Sequence, residues 1–319
     1  GYVEVLRHYR AIVGIRDRLR DRLLASPPQA FIGVDAPDFN LDLEADLRGR
    51  GIPVIHFVCP SIWAWRPERI EKIRRSVDHV LCLFPFEPEL LERHGVPATY
   101  VGHPLAEVIP MEPDRAAARG RLGLAQDSTV VALLPGSRAS EIDRMARPFL
   151  RAARRLLERR PELGFVLPAV PSQRAAIDGA VRAEGLAGQV RVLDGQSHAA
   201  LAACDATLIA SGTATLEAAL FKRPMVIAYR MNALSWQIMR RKRLQPWVGL
   251  PNILCEDFVV PELLQGEATP EAMADAVLRW LDNPGAAMVL KDRFVQLHER
   301  LRRDTARLAT DAIEKVLAR

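Results

Sequence analysis

The sequence predicts an α/β protein made of two Rossmann-like domains that face a cleft, with helices closing the C-terminal end. Three observations carry this. Short continuous apolar runs alternate strictly with stretches of helical periodicity, the pattern of parallel strands buried on both faces. The alternation stops once, over residues 102–128, which are charged and proline-bearing, and then restarts. The length of 319 residues exceeds one ordinary core and suits two domains.

Val5, Tyr9, Ile12, Ile15, Leu19 and Leu23 recur three and four apart, the apolar stripe of a helix that Ser26-Pro27-Pro28 ends. Residues 30–34 (AFIGV) predict a buried strand, 41–50 a helix closed by Gly51, and 53–58 a second strand. A basic helix over 67–76, a strand over 79–84, a helix over 87–94 and a strand over 98–101 complete the first half. In the second half, strands are predicted at 129–134, 165–167, 190–193, 206–210 and 225–229, with helices at 139–159, 172–184, 198–204 and 213–221 between them. Helices near 271–281 and 286–317 finish the chain. The predicted domains are therefore 1–109, 110–285 and a C-terminal helix, 286–319, that crosses back to the first domain. Two such halves with terminal helices make a GT-B-type architecture, in which ligands sit at the carboxyl ends of the strands.

Composition is that of a globular protein, 49% hydrophobic and 26% charged, with a net charge of +5. Lysine occurs at only five positions, so the basic character is almost all arginine. A basic surface suits nucleotides, nucleic acid or an acidic membrane, and an arginine-rich genome explains it equally well. Cys59, Cys82, Cys204 and Cys255 form no C-x-x-C pair and read as reduced core thiols; no zinc site is expected. No apolar run reaches the length of a membrane span. Arg7, Arg10, Arg16 and Arg18 interrupt the N-terminus, so it is no signal peptide. The chain opens at Gly1 directly on a helical pattern, which predicts a truncated start.

Five segments carry chemistry. In Asp35-Ala-Pro-Asp38-Phe39-Asn40, Asp35 falls where a strand ends, the usual place for an acid or base in α/β enzymes. Asn40 is read as the cap of a helix starting at Leu41. Pro60-Ser61-Ile62-Trp63-Ala64-Trp65-Arg66 puts two tryptophans in a turn, either plugging the core or lining an apolar site. Arg66, Arg69, Lys72, Arg74 and Arg75 follow, suited to a phosphate or headgroup, or else a solvated helix face.

Pro135-Gly136-Ser137-Arg138 joins a strand to a helix, where backbone N–H groups and the positive helix end favour phosphate and Arg138 offers a bidentate contact. Ser211-Gly212-Thr213 repeats that arrangement, with Ser211 or Thr213 as cap; Glu217 in the helix suits ribose hydroxyls or a capping box. Asn252, after Pro251, reads a base or sugar, or sits in a buried turn. It follows Arg230 and a segment, 234–244, that joins Trp236 to Arg240-Arg241-Lys242-Arg243, a pattern suited to an acidic membrane surface or a packed helix. His56 and His79 read as core, and His103 falls at the domain crossing where it faces the cleft. No spacing suggests a metal.

Together the stretches FIGVDAPDFNL, PSIWAWR, LFPFE, VGHPL, LLPGSRASEI, ASGTATLEAAL, YRMN and LPNIL resemble the lipid-A-disaccharide synthase family, over the whole chain. The resemblance implies an inverting transferase that moves 2,3-diacylglucosamine from UDP to the 6-hydroxyl of 2,3-diacylglucosamine 1-phosphate, forming a β-1,6-linked lipid A precursor. It implies Asp35 as base. Gly136, Ser137, Arg138, Ser211, Gly212, Thr213, Glu217, Arg230 and Asn252 fall on the UDP side, and Asp38, Asn40, Ser61, Trp63, Trp65, Arg66 and His103 on the acceptor side. No cofactor or metal is implied. The location is cytoplasmic, peripheral on the anionic cytoplasmic face of the inner membrane; a homo-oligomer stays open, and no nucleic acid is a partner. The family starts with a strand and a GEASGD-like loop, so the resemblance also implies that roughly 60 residues are missing at the start, about one βαβ repeat, with activity of the chain as it stands left open. The competing readings are another GT-B UDP-sugar enzyme (a peptidoglycan glucosaminyltransferase or a UDP-sugar 2-epimerase), a UDP-binding fragment without turnover, and a basic nucleic-acid-binding protein.

Overall fold

Helices and parallel strands alternate because apolar runs too short for helices are separated by amphipathic stretches. In the computed structural model, residues 2–318 are described, those of 2–8, 234 and 235 without their side chains. The elements, in order, are α1 (Tyr2–Ala25), β1 (Phe31–Val34), α2 (Pro37–Arg48), β2 (Val54–Phe57), α3 (Ile70–Ser76), β3 (His79–Cys82), α4 (Glu87–Glu92), β4 (Ala98–Tyr100) and α5 (Pro104–Val108). Next come α6 (Arg115–Leu122), β5 (Val130–Leu134), α7 (Ala139–Arg159), β6 (Gly164–Ala169), α8 (Arg174–Ala183), β7 (Val190–Asp194), α9 (Ser197–Ala203), β8 (Ala206–Ile209), α10 (Ala214–Leu220) and β9 (Met225–Tyr229). The chain ends with α11 (Ala233–Lys242), α12 (Leu250–Cys255), β10 (Glu262–Leu264), α13 (Pro270–Leu281), α14 (Pro284–Leu301) and α15 (Thr305–Leu317). It divides into two compact units: residues 1–107, 239–245 and 300–319, and residues 108–238 and 246–299.

The first unit holds a parallel sheet in the order β1-β2-β3-β4. Side chains of β2 alternate between its faces: Val54 packs with Leu41, Leu47, Ile73 and Val80, and Ile55 packs with Leu81, Val101, Ala312 and Val316. So α15 covers the second face. The single terminal helix expected over 286–317 is two. Residues 302–304 interrupt it, and Asp304 caps α15 by accepting from the Arg307 backbone N–H at 3.1 Å.

The second unit holds a six-stranded parallel sheet in the order β10-β9-β8-β5-β6-β7. The chain runs from β5 outward through β6 and β7, then returns to the other side of β5 with β8. This is a topological switch point, where open α/β sheets take ligands. Met145, Phe149 and Ala153 of α7 bury against Val131, Leu133 and Phe165 on one face. Removing a ring such as Phe149, fully buried, costs about 3–5 kcal/mol in comparable cores. Strand β10 and helix α12 were not foreseen, since each is too short for its periodicity to register.

The segment before β5 is anchored by a buried arginine. The Arg119 guanidinium donates to the carbonyls of Ala203 (3.0 Å), Ala125, Gln126 and Ser128, and pairs with Asp205 at 2.9 Å. A charge whose three guanidinium nitrogens all donate is tolerated inside. The histidines His56 and His79 are core residues, as expected, with His56 Nδ1 2.7 Å from Glu44 and His79 Nε2 2.8 Å from the Thr99 hydroxyl.

Candidate active-site residues

In the first unit the candidates gather at the carboxyl ends of β1 and β2. Asp35 continues the ladder, its N–H donating to the Phe57 carbonyl at 2.9 Å. It then turns into the left-handed region at φ +49°, followed by Ala36 at φ +43°. Aspartate tolerates that region better than most residues, at a cost of about 1–3 kcal/mol that the surroundings must offset. Its carboxylate is exposed and makes no hydrogen bond or ion pair among the described residues. At the end of β2, Val58 is also left-handed, at φ +82°, an outlier for a β-branched side chain.

Asn40 does not cap a helix at Leu41. Pro37, with no N–H to satisfy and a preset φ, begins α2 earlier, and Ala36 stands at the cap without a side-chain bond. Asn40 lies inside the first turns, buried, and its amide donates to the carbonyls of Val34 (3.2 Å) and Asp35 (2.7 Å). It positions Asp35 and has no surface left for a sugar. Asp38 is exposed and pairs with Arg69 and, at 3.9 Å, with Arg66. Lys72 pairs with Asp42 at 2.5 Å and Arg74 with Glu71 at 2.7 Å, so much of the expected basic cluster is already neutralised.

The tryptophans differ. Trp63 packs edge-on against Phe84 and Phe86, with centroids 6.1 and 5.4 Å away, and its indole N–H donates to Glu87 at 3.0 Å. It is a plug rather than a platform. Trp65 lies under the Arg66 guanidinium, 4.1 Å from its ring centre, and Ser61 is exposed beside them. His103 stacks on Phe84 at 5.8 Å, and burial pulls its imidazole down to about 4, so it is neutral near pH 7. Glu87, buried and raised to about 7 by its desolvation, was missed. Its bond from the Phe84 N–H is local, but the Trp63 partner that marks it out is set by tertiary packing.

In the second unit the two glycine turns lie side by side. Leu134 and Ile209 are register partners, and the Ala210 N–H donates to the Leu134 carbonyl at 2.8 Å, so the turns after β5 and β8 start together at the switch point. They are not equivalent. At the first, the Glu141 carboxylate accepts from the N–H groups of Ser137 (3.0 Å) and Arg138 (3.2 Å) and pairs with the exposed Arg138 side chain at 3.3 Å. An anion already sits on those amides, against the expectation of an open phosphate nest. Gly136, at φ +120°, is required there, since a Cβ would lie 2.5 Å from that of Glu141. At the second turn, Gly212 has φ +152° and open space where a Cβ would go. Thr213 stands at the cap of α10 without a side-chain bond, so neither capping expectation is realised by it; Ser211 is half-buried.

Glu217 is 3.1 Å from His198 Nε2, a partner the sequence did not suggest, and forms no capping box. Arg230 donates to the Ala268 carbonyl at 2.7 Å, while its Nε is buried without a partner. Asn252 leaves the donor set. It is fully buried in α12, its amide donating to the Val260 carbonyl and the Glu262 carboxylate (2.9 and 2.8 Å) and its oxygen accepting from the Val260 N–H at 3.0 Å. It is buried, as one of the two readings had it, but in a short helix rather than a turn.

The model of a family described as lipid-A-disaccharide synthetase matches residues 1–313. A lipid-A-disaccharide synthase of Albidiferax ferrireducens is 66% identical over 98% of this chain and 82% of its own. One from Aromatoleum aromaticum is 55% identical over 100% of this chain and 82% of its own. Among solved structures, a UDP-GlcNAc 2-epimerase from Neisseria meningitidis bound to UDP-GlcNAc superposes with a TM-score of 0.64, at 12% identity, over 97% of this chain and 81% of the other. A trehalose 6-phosphate synthase from Burkholderia multivorans does so at 0.61 and 14% identity, over 98% and 76%. At such identities the likeness bears on the fold.

Proposed function

The chain belongs to the lipid-A-disaccharide synthetase family, and from that premise we propose how its residues divide the reaction. The reaction is a glycosyl transfer from UDP-2,3-diacylglucosamine to the 6-hydroxyl of 2,3-diacylglucosamine 1-phosphate, giving a β-1,6-linked disaccharide and UDP. It inverts an α-linked donor, so a base is needed opposite the leaving diphosphate.

Asp35 is that base. Its carboxylate takes the proton of the 6-hydroxyl as the oxygen attacks the anomeric carbon and the bond to the diphosphate breaks. The observation that carries this reading is the exposed, unpaired carboxylate on a backbone held by Asn40 and the Phe57 carbonyl. A strained turn fixed from both sides is a pre-organised one. Near it, Trp65, Arg66 and Ser61 suit the acceptor sugar and its phosphate, with Arg66 better placed than the paired Lys72 and Arg74.

On the donor side the diphosphate belongs at the Gly212 turn, with Arg138 swinging from Glu141 to meet its charge. The amides of Ser137 and Arg138 are the poorer choice, because Glu141 holds them and would repel phosphate. Glu217, steadied by His198, takes the ribose hydroxyls. The residues present supply a cationic and dipolar environment for the leaving group. The experiment is detection of the disaccharide product from both lipid substrates, with Asp35→Asn as its control.

We further propose that the chain works against an anionic membrane face, on its cytoplasmic side. No helix among the described residues is long and apolar enough to cross a membrane. In α11 and just beyond it, Arg240, Arg241, Lys242 and Arg243 are exposed beside the exposed side chains of Ile238 and Leu244. Basic residues near an anionic surface contribute about 1 kcal/mol each, and exposed apolar ones insert at the headgroups. Sedimentation with anionic and neutral vesicles tests it; equal binding to both, or full retention after charge reversal of the four residues, contradicts it.

A further inference from the structure

We propose that Cys59, Cys82 and Glu87 form a site for one thiophilic divalent cation of the zinc class. Cys59 follows β2, Cys82 ends β3 and Glu87 opens α4, so the pairing of neighbouring strands brings them together at one end of the first sheet. One ligand atom from each, two thiol sulfurs and a carboxylate oxygen, lies within 4.8 Å of the others, and all three residues are buried. In a tetrahedral zinc site such ligand atoms are about 3.5–3.8 Å apart, given metal–sulfur and metal–oxygen bonds of about 2.3 and 2.0 Å. A contraction on the order of 1 Å, within the reach of side-chain rotation, therefore assembles three of four ligands.

The donor set selects the cation. Two thiolates favour zinc and cadmium over magnesium or calcium, and one carboxylate suits zinc. Without metal, the contact with Cys59 and then burial push the Cys82 thiol up, and burial raises Glu87 to about 7. On binding, two S–H bonds and the carboxyl O–H, where present, release their protons to solvent as two metal–sulfur bonds and one metal–oxygen bond form. The loop over residues 60–66 follows Cys59, and its Ser61 is exposed. Trp63 donates to Glu87, so occupancy pulls on the same loop. The cluster lies at the same end of the sheet as Asp35, whose N–H donates to Phe57 two residues before Cys59, but it does not rest on the assignment of the base.

Chelator-stripped protein is titrated with Zn2+ by calorimetry and with Cd2+ by ultraviolet absorption. The expected result is one equivalent bound, with a thiolate-to-cadmium charge-transfer band. Cys59→Ser and Cys82→Ser each remove the band and weaken Zn2+ at least tenfold. Since the chain has four cysteines, Cys204→Ala combined with Cys255→Ser leaves only the proposed pair, and the band must persist there even if the first variants fail to fold. Absence of a stoichiometric band in the native chain, its survival in the folded Cys59 and Cys82 variants, or its loss in the Cys204/Cys255 variant overturns the proposal.

Discussion

The Asn40 side-chain amide donates to the Asp35 carbonyl at 2.7 Å, and through that bond a buried residue sets where an exposed carboxylate stands. Asn40→Ala removes two part-buried hydrogen bonds, at a cost of about 1 kcal/mol or more. The freed turn relaxes from its left-handed geometry. In steady-state assays kcat should fall at least tenfold with the KM for the donor little changed, and denaturant melts should show the lost stability. A fall in donor affinity alone would place Asn40 elsewhere in the mechanism.

The two glycine turns should separate experimentally. Gly212→Ala meets open space but forces an alanine to φ +152°, so it should strain the turn, keep the fold and weaken UDP binding. Gly136→Ala drives a Cβ into Glu141, so it should lower the melting temperature more than it weakens UDP. Calorimetry with UDP beside thermal melts distinguishes them; the reverse order would move the diphosphate to the first turn.

Arg119→Met removes five hydrogen bonds, to the carbonyls of Ala125, Gln126, Ser128 and Ala203 and to Asp205, which keeps only the Arg115 side chain and the Val130 N–H. Breaking such a buried pair costs about 3–5 kcal/mol. A urea titration should show the midpoint falling with little change in slope.

His103 ties stability to pH. Burial lowers its folded pKa to about 4 from the usual 6.5. Between those values the unfolded chain binds a proton that the folded chain refuses, so stability is full above pH 6.5 and is lost as pH falls toward 4. The limit is about 3 kcal/mol for a shift of this size. His103→Asn, which keeps an acceptor for the Leu105 N–H, should flatten the profile across that window.

Much of this was legible in the sequence for a physical reason: strands buried on both faces read as apolar runs, and glycine marks the turn where a strand feeds a helix. Asp35 and Gly212 were singled out that way. What escaped depends on contacts between distant segments. Nothing local says that His198 meets Glu217 or that Glu87 joins Cys59 and Cys82. Asn252 was ambiguous because a proline-led apolar stretch looks alike as a loop and as the short helix α12. The helix over 286–317 hid a break at residues 302–304 because its apolar period continues on both sides.

The most direct measurement is the turnover number of Asp35→Asn with both lipid substrates, taken with the UDP affinity of the same variant. Loss of the base should lower kcat by about 100-fold or more, the usual contribution of general-base catalysis, while calorimetry shows UDP bound as in the parent. Parent-like turnover would remove Asp35 from the chemistry, and with it the assignment of the β1 end as the place where the proton leaves.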